Sequence, residues 1–170
     1  MTTSLAADTD TRPLQRVPKE LASSSGFLLA RLGFTFKARV LAQLEQMGSD
    51  PHDYGVLAIL GEGTRETQAT IAEALALDPS RLVALLDSLE HRGLVVRQRD
   101  PQDRRRHMVS ITAAGEQQLV RLRSLVRKLE DEFFASFDAD TRATFHAQLS
   151  QLASLHDPRC ALNPTSGANG

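Results

Sequence analysis

Hydrophobic residues recur along most of the chain every three or four positions, a spacing that is typical of α-helices. Between about 20 and 47 they occur all round the predicted helix, which is too many for a helix that buries a single stripe. Something must therefore cover a second face of this segment. The same periodicity predicts a long helix that begins at Thr112 and a last helix that begins at Asp138 or Asp140 and runs to about 157.

The segment between the outer helices predicts three shorter helices. Asp50 followed by Pro51 is typical of an N-cap and a first helical residue. Thr67 is the expected cap of the second short helix, and Asp78 followed by Pro79 begins the third. The third helix has one apolar side, formed by Leu82, Leu85, Leu86 and Leu89, and its other side is small or polar.

Two short runs of β-type residues come next, LVVRQR and HMVSI. The turn-forming stretch DPQDRR joins them, so we expect a β-hairpin. Its candidate core residues are Val95, Val96, Val109 and Ile111. The predicted fold class is therefore mainly α with a small β-hairpin.

The length and composition agree with one globular domain of 170 residues, which we expect over 19–158. Residues 1–18 and 159–170 lack periodicity and carry Pro, Gly and polar residues, so they are expected to be disordered tails. No apolar run approaches the length of a membrane span, and the first residues lack the apolar region of a signal peptide. We therefore expect a cytoplasmic protein with no membrane partner.

The net charge of −1 conceals a separation of sign along the chain. Six arginines and two aspartates lie between 91 and 107, which is an excess of four positive charges. Seven acidic residues and one arginine lie between 42 and 78, an excess of six negative charges. Such a separation creates a local field that can orient a small domain on a polyanion.

Two short helices joined by a tight turn and followed by a hairpin form a winged helix-turn-helix. The second helix can enter the major groove of double-stranded DNA, while the cationic hairpin, or wing, reaches the backbone or a minor groove. The recognition-helix candidates for DNA contact are Pro79, Ser80, Arg81 and Ala84. An alternative without DNA contact stays open for these residues. Ser80 and Arg81 can simply be first-turn residues of the helix, and Ala84 can contact a thymine methyl or make no contact.

The wing supplies further candidates for DNA contact, which are Arg104, Arg105 and Arg106. Arg97 and Arg99 on the predicted strands have two interpretations of equal weight. They contact DNA, or they pair with Asp100 or Asp103.

The order of these segments, from PHDYGVLAILGEG through LEHRGLV to DPQDRRRHMVSIT, resembles the MarR family of winged-helix transcriptional regulators over about 21–157. The most specific match is the family's D-x-R wing with its closing hydrophobic-Thr pair, at Asp103, Arg105, Ile111 and Thr112. The resemblance implies that Arg105 inserts into a minor groove and that Asp103 positions the wing arginines.

The resemblance also implies a homodimer in which the first and last helices interlock, here about 20–47 and 112–157, around a winged helix-turn-helix at about 50–111. Such a partner would cover the second apolar face of the first helix. A two-fold pair also reads a pseudo-palindrome with half-sites about 10 base pairs apart, which one unit alone does not.

An effector cleft between the dimer helices and the DNA-binding lobe is a further implication of the resemblance. Aromatic walls and a cation for an aromatic acid or phenol are offered by Phe27, Arg31, Phe34, His52 and Tyr54. Core packing explains the phenylalanines and Tyr54 equally well.

Other chemistry lacks a motif in this sequence. The five histidines show no metal-ligand spacing, and no phosphate loop, nucleophile elbow or carboxylate pair is present, so neither a metal, a cofactor nor catalysis is expected. Cys160 lies in a tail, whereas the peroxide sensors of this type use a cysteine in the first helix. The predicted function is a ligand-responsive repressor, and the alternative is a winged-helix module that docks on an acidic protein.

Overall fold

The computed structural model describes residues 16–63, 66–99 and 107–160. Its α-helices are α1 Lys19–Ala22, α2 Ser25–Gln46, α3 Pro51–Leu60, α4 Gln68–Ala74, α5 Pro79–His91, α6 Ala113–Phe133 and α7 Ala139–His156. Its strands are β1 Glu66–Thr67, β2 Val95–Arg99 and β3 His107–Ile111. The prediction of a mainly helical chain with a small β-hairpin is therefore confirmed.

The chain divides into two compact units, Met1–Lys37 and Ala38–Gly170. In the first unit, the single helix predicted from about 20 is interrupted between α1 and α2. The Ser23 hydroxyl donates to the Lys19 carbonyl at 2.8 Å, and the Ser24 Oγ accepts from the Phe27 backbone N–H at 3.3 Å. Serine side chains compete for backbone groups in this way, and so they end one helix and begin the next.

Most side chains that the structure describes in the first unit are exposed. The large hydrophobic ones are Val17 before α1, Leu21 on α1, and Leu28, Leu29, Leu32 and Phe34 on α2. This part of α2 thus presents an apolar surface, as the sequence pattern indicated.

Side-chain caps begin the helices of the second unit. Each cap accepts a hydrogen bond from a backbone N–H in the first turn, which satisfies one of the donors that a helix start leaves free. The caps are Asp50 of α3, Thr67 of α4, Asp78 of α5, Thr112 of α6 and Asp138 of α7. They are the caps that the sequence predicts, and Asp138 rather than Asp140 begins the last helix.

The hydrophobic core of the second unit lies among the last part of α2, the helices α3 to α6 and the strands. Its fully buried large side chains are Leu44, Val56, Leu57, Leu60, Ile71, Leu82, Leu86, Leu89, Val109 and Leu122. The predicted apolar side of α5 faces this core. Its opposite side is consequently held outward, because side chains at i, i+3, i+4 and i+7 share one helix face.

The β-hairpin is part of a three-stranded antiparallel sheet in the order β1-β3-β2. Val95 pairs with Ile111 and is buried, but Val96 is 36% exposed. The expectation that Val96 joins the core is thus wrong, because successive residues of a strand point to opposite faces. Strand β1, which the sequence pattern does not predict, has only two residues and pairs Glu66 with Val109.

The turn between α4 and α5 is tight. Ala76 adopts a φ of +51°, in the left-handed region, and the Leu77 backbone N–H donates to the Ala72 carbonyl at 2.9 Å. Leu75 and Leu77 pack against the core on either side of the turn. This geometry sets the angle at which α5 leaves α4.

The corner between α6 and α7 is aromatic. Helix α6 ends at Phe133, and Phe137 lies in the turn against Phe134 and Phe145 with ring centroids 5.6–5.8 Å apart. Beyond α7, Arg159 and Cys160 belong to a 3-10 turn, Pro158–Cys160, rather than to a disordered tail. Within the described ranges, no helix has the length and apolar character needed to cross a membrane.

Candidate nucleic-acid interface

Helix α5 displays the predicted recognition residues on its exposed side. Pro79, Ser80, Arg81 and Ala84 are all exposed, whereas Leu82 and Leu86 are buried. The same exposed side continues through Val83, Asp87, Ser88 and His91. The structure therefore brings the recognition-helix candidates together on one accessible surface.

The N-cap residue Asp78 accepts hydrogen bonds from the first turn of α5. Asp78 Oδ1 accepts from the Ser80 backbone N–H at 2.9 Å and also from the Ser80 hydroxyl. These two hydrogen bonds hold the pKa of the Asp78 carboxyl below its ordinary value. Ser80 is therefore part of the cap, because both its backbone N–H and its hydroxyl are bonded to the Asp78 carboxylate. Arg81 is the cation of the first turn that can contact a ligand.

A cavity of about 400 Å³ adjoins the same helix. Its lining residues come from the end of α2, the start of α3 and one side of α5: Gly48, Asp50, His52, Asp53, Arg81, Ala84, Leu85, Ser88 and Arg92. A molecule bound in this cavity would therefore contact the recognition helix directly.

Charges are arranged in pairs around the cavity. His52 Nδ1 lies 2.7 Å from Asp50 Oδ1. Partial burial of Asp50 opposes ionisation, but the hydrogen bonds from the His52 backbone and ring, with the charges of His52 and Arg81, outweigh it and lower the Asp50 pKa. Arg81 thus acts electrostatically on the cavity wall as well as on the exposed side of α5.

An ion pair with a buried carboxylate lines the cavity. Asp53 is only 2% exposed, and its Oδ2 accepts from Arg92 Nη2 at 2.7 Å and from the Asp50 backbone N–H at 2.9 Å. Arg92 also donates to the Gly48 carbonyl at 3.3 Å. This pair joins the start of α3 to the end of α5, and a buried carboxylate needs such a partner.

The predicted effector residues are divided between the two units. In the second unit, His52 lines the cavity and Tyr54 packs against the hydrophobic core. Phe27 and Arg31 lie together in the first unit, where the Arg31 guanidinium is 5.9 Å from the Phe27 ring centroid, and Phe34 is 76% exposed. Tyr54 therefore has the core contact that the alternative interpretation expects, and its contact with an effector stays a prediction.

Three cavity residues were not predicted from the sequence, namely Asp53, Ser88 and Arg92. For Asp53 a local signal existed, because an acidic residue three positions after an N-cap is the mark of a capping box. Arg92 had no such signal, since its partner lies 39 residues away in the sequence.

The predicted tip of the wing, Asp103, Arg104, Arg105 and Arg106, lies outside the described residues. At the base of the wing, the structure joins Arg97 to α5. Arg97 Nη2 lies 2.6 Å from Asp87 Oδ1, and Arg97 Nε donates to Glu90 Oε2 at 2.9 Å. Arg97 thus pairs with Asp87 and Glu90, while Asp100 and Asp103, the partners considered from the sequence, lie outside the described residues.

These features agree with known proteins. The model of the MarR family matches residues 47–106. A transcriptional regulatory protein for the hcr operon of Thauera aromatica is 30% identical to this chain over 135 residues, which cover 75% of this chain and 81% of that protein.

Two solved structures of the repressor CouR are similar to this chain over most of the length of both proteins. CouR bound to a 23-mer DNA duplex gives a TM-score of 0.72 at 30% identity, over 82% of this chain and 99% of that one. CouR from Rhodococcus jostii RHA1 bound to p-coumaroyl-CoA gives 0.69 at 30% identity, over 83% of this chain and 97% of that one.

Proposed function

Because this chain belongs to the MarR family of winged-helix transcriptional regulators, we propose that it is a homodimeric repressor, released by a small anionic effector, that binds a pseudo-palindromic operator. The single observation that carries the proposal is the exposed polar side of α5, with Arg81 in its first turn and the wing strands directly after it. We infer no catalytic activity and a site of action in the cytoplasm.

Sequence reading is assigned to α5. An α-helix fits the major groove, where the N-terminal residues of a recognition helix reach base edges. Arg81 is the side chain suited to bidentate contact with guanine, and Ala84 is small enough to approach a thymine methyl. Pro79 and Ser80, in the first turn of α5, are also assigned to the surface that contacts DNA.

Groove and backbone contacts are assigned to the wing. We propose that Arg105 enters a minor groove, that Arg104 and Arg106 contact phosphates, and that Asp103 positions them. Minor grooves carry an enhanced negative potential where they are narrow, which favours an arginine there.

A second copy of the chain is the proposed cover for the exposed apolar helices. In the first unit, Leu28, Leu29 and Leu32 of α2 are each 44–50% exposed. In the second unit, Leu152 and Leu155 of α7 are 45% and 74% exposed. Apolar surface of this kind marks an interaction site, and a two-fold pair supplies the second recognition helix that a palindrome requires.

The cavity beside α5 is the proposed effector site. Arg81, Arg92 and His52 supply cationic or protonatable groups for a carboxylate or phenolate, and Leu85 supplies an apolar wall. The structurally similar CouR binds p-coumaroyl-CoA, which contains a phenol. An effector there weakens DNA binding only if it prefers the dimer in which the α5 helices are wrongly spaced for DNA. Phe27, Arg31 and Phe34 stay predicted contacts of this effector.

Selection of genomic DNA fragments by the purified protein tests the regulator proposal. At about 150 mM salt nonspecific binding is already weakened, so we expect recovery of a pseudo-palindromic sequence. Recovery of no preferred sequence, together with salt-sensitive binding to an acidic protein, would instead identify a protein-interaction module.

The effector site has its own test. Calorimetric titration with phenolic acids, beginning with 4-hydroxybenzoate, is expected to give binding that His52→Ala weakens. The matched control is His146→Ala, since His146 lies exposed on α7 away from the cavity lining. Equal binding by both variants would remove His52 from the site.

A further inference from the structure

Arg97 is held by two carboxylates of the recognition helix. Glu90 accepts three hydrogen bonds from it. Glu90 Oε1 accepts from the Arg97 backbone N–H at 3.0 Å, and Glu90 Oε2 accepts from Arg97 Nε at 2.9 Å and from Nη2 at 2.5 Å. Asp87, one turn earlier on α5, contacts Arg97 Nη2 at 2.6 Å. The guanidinium thus has donors directed at two carboxylates, a geometry that arginine provides and lysine does not.

The arrangement is unusual for a helix that approaches a polyanion. Asp87 lies on the exposed side of α5, with 56% of its side chain accessible, and Glu90 is 37% accessible. Two free carboxylates there would repel DNA phosphates. The Arg97 side chain is only 22% accessible, so it is directed toward α5 rather than toward solvent.

The titration of both partners agrees with a formed pair. Hydrogen bonds from the Arg97 side chain and backbone hold the pKa of Glu90 below its ordinary value. The same contact, opposed by partial burial and aided by Asp87, raises the pKa of Arg97. Both groups therefore stay charged at neutral pH.

We propose that Arg97 is a positioning residue that fixes strand β2 of the wing to the recognition helix α5 through Glu90 and Asp87, and that it does not contact DNA. The inference rests on the proposed DNA-binding function. The clamp holds α5 and the sheet at one angle, so that both elements meet the same DNA site in register. Loss of the clamp therefore reduces the preference for the correct sequence more than it reduces attraction to DNA in general.

The sign of the Glu90→Gln effect is the sharpest test. Removal of a negative charge near DNA raises affinity if electrostatics alone acts, whereas loss of the clamp lowers affinity for the correct site. We expect Glu90→Gln to bind the duplex recovered by genomic selection about tenfold more weakly. A scrambled duplex of equal length should be bound as tightly as before or more tightly. The matched control is Glu73→Gln, on the exposed side of the neighbouring helix α4, which should leave the preference unchanged.

Variants of Arg97 complete the test. Arg97→Gln is expected to lose the preference between the two duplexes while the salt dependence of binding stays as in the wild type. Arg97→Lys keeps the charge without the planar fork, and should lose part of the preference even if Arg97→Gln folds poorly. The exchange Arg97→Glu with Glu90→Arg should recover more preference than either single change.

Three results would overturn the proposal. One is a uniform loss on both duplexes with a salt slope reduced by about 0.9, because that is the mark of a lost phosphate contact. The others are tighter binding of the selected duplex by Glu90→Gln, and an unchanged preference in Arg97→Gln. A wild-type protein that does not distinguish the duplexes would contradict the DNA-binding function itself, which separates that failure from failure of the clamp.

Discussion

The hydroxyl of Thr112 joins the end of the hairpin to the start of α6. It donates to the Gly93 carbonyl at 2.7 Å, and its oxygen accepts from the Gly115 backbone N–H at 3.0 Å. One small side chain thereby satisfies an acceptor at the end of α5 and a donor at the start of α6. This double use gives a physical reason for a threonine after Ile111.

Replacement of that hydroxyl should be costly. We expect Thr112→Val, which keeps the shape and removes both hydrogen bonds, to lower the free energy of unfolding by about 1–2 kcal/mol. Thr112→Ser keeps the hydroxyl and should stay within about 0.5 kcal/mol of the wild type. Urea unfolding of both variants measures the difference, and equal stability of Val and Ser would contradict the double role.

Arg81 faces two environments, the exposed side of α5 and the cavity. We expect Arg81→Ala to weaken binding to the selected operator by about 1–3 kcal/mol and to affect scrambled DNA less, because a base contact carries sequence information. Fluorescence anisotropy with both duplexes measures this. Arg121→Ala, an exposed arginine on α6, serves as the control. An equal loss on every duplex would reduce Arg81 to a phosphate contact.

Local chemistry explains which of these residues the sequence could reveal. A capping residue and its partner lie within three positions, so Asp50, Thr67 and Asp78 were predictable from short stretches. The partners of Arg97 and Arg92 lie on other elements and depend on how α5 packs. Neighbouring acidic residues in the sequence therefore did not point to Asp87 and Glu90 as partners of Arg97.

Helix α5 depends on its cap as a whole element. The Asp78 carboxylate satisfies backbone donors at the start of α5, and its hydrogen bonds with Ser80 lower its pKa below the ordinary value of 3.8. A carboxyl whose folded pKa is depressed stabilises the protein above its unfolded pKa. That contribution is lost as the pH falls from about 4 through the lower folded pKa.

An asparagine should remove this pH dependence while keeping the cap. We expect Asp78→Asn to resemble the wild type at pH 7 and to lose less stability than the wild type between about pH 5 and pH 2. Unfolding curves across that range measure the difference. Asp138→Asn, at the equivalent cap of α7, shows what the same change does outside the recognition helix. A steeper acid loss in Asp78→Asn would contradict the assignment.

Helices and strands with a regular spacing of apolar residues were predictable from the sequence, and those without such a spacing were not. The apolar spacing of α5 and the β-type runs of β2 and β3 gave their positions correctly. Strand β1 has two residues and therefore no alternation to recognise. The break between α1 and α2 rests on serine hydroxyls, and apolar periodicity does not record it.

The exposed apolar residues of the chain lead to a prediction about self-association. Leu155 is 74% exposed near the end of α7. We expect Leu155→Glu to weaken self-association and, with it, operator affinity, because one recognition unit reads only a half-site. Sedimentation at several protein concentrations measures the association. Val83→Glu, at an exposed apolar position on α5, is the control that should leave association unchanged while disturbing DNA binding.

The pairing of β1 with β3 also bears on how the protein is made. Glu66 meets Val109, a partner that leaves the ribosome 43 residues later. Until then β1 lacks its partner strand, and α4 and α5 lack the sheet on which they pack. A nascent chain that ends before Ile111 therefore contains the helix-turn-helix but lacks the complete strand β3 that pairs with β1 and β2. The DNA-reading unit is complete only late in translation, and a gene fragment that stops after α5 should not yield an independently folded reader.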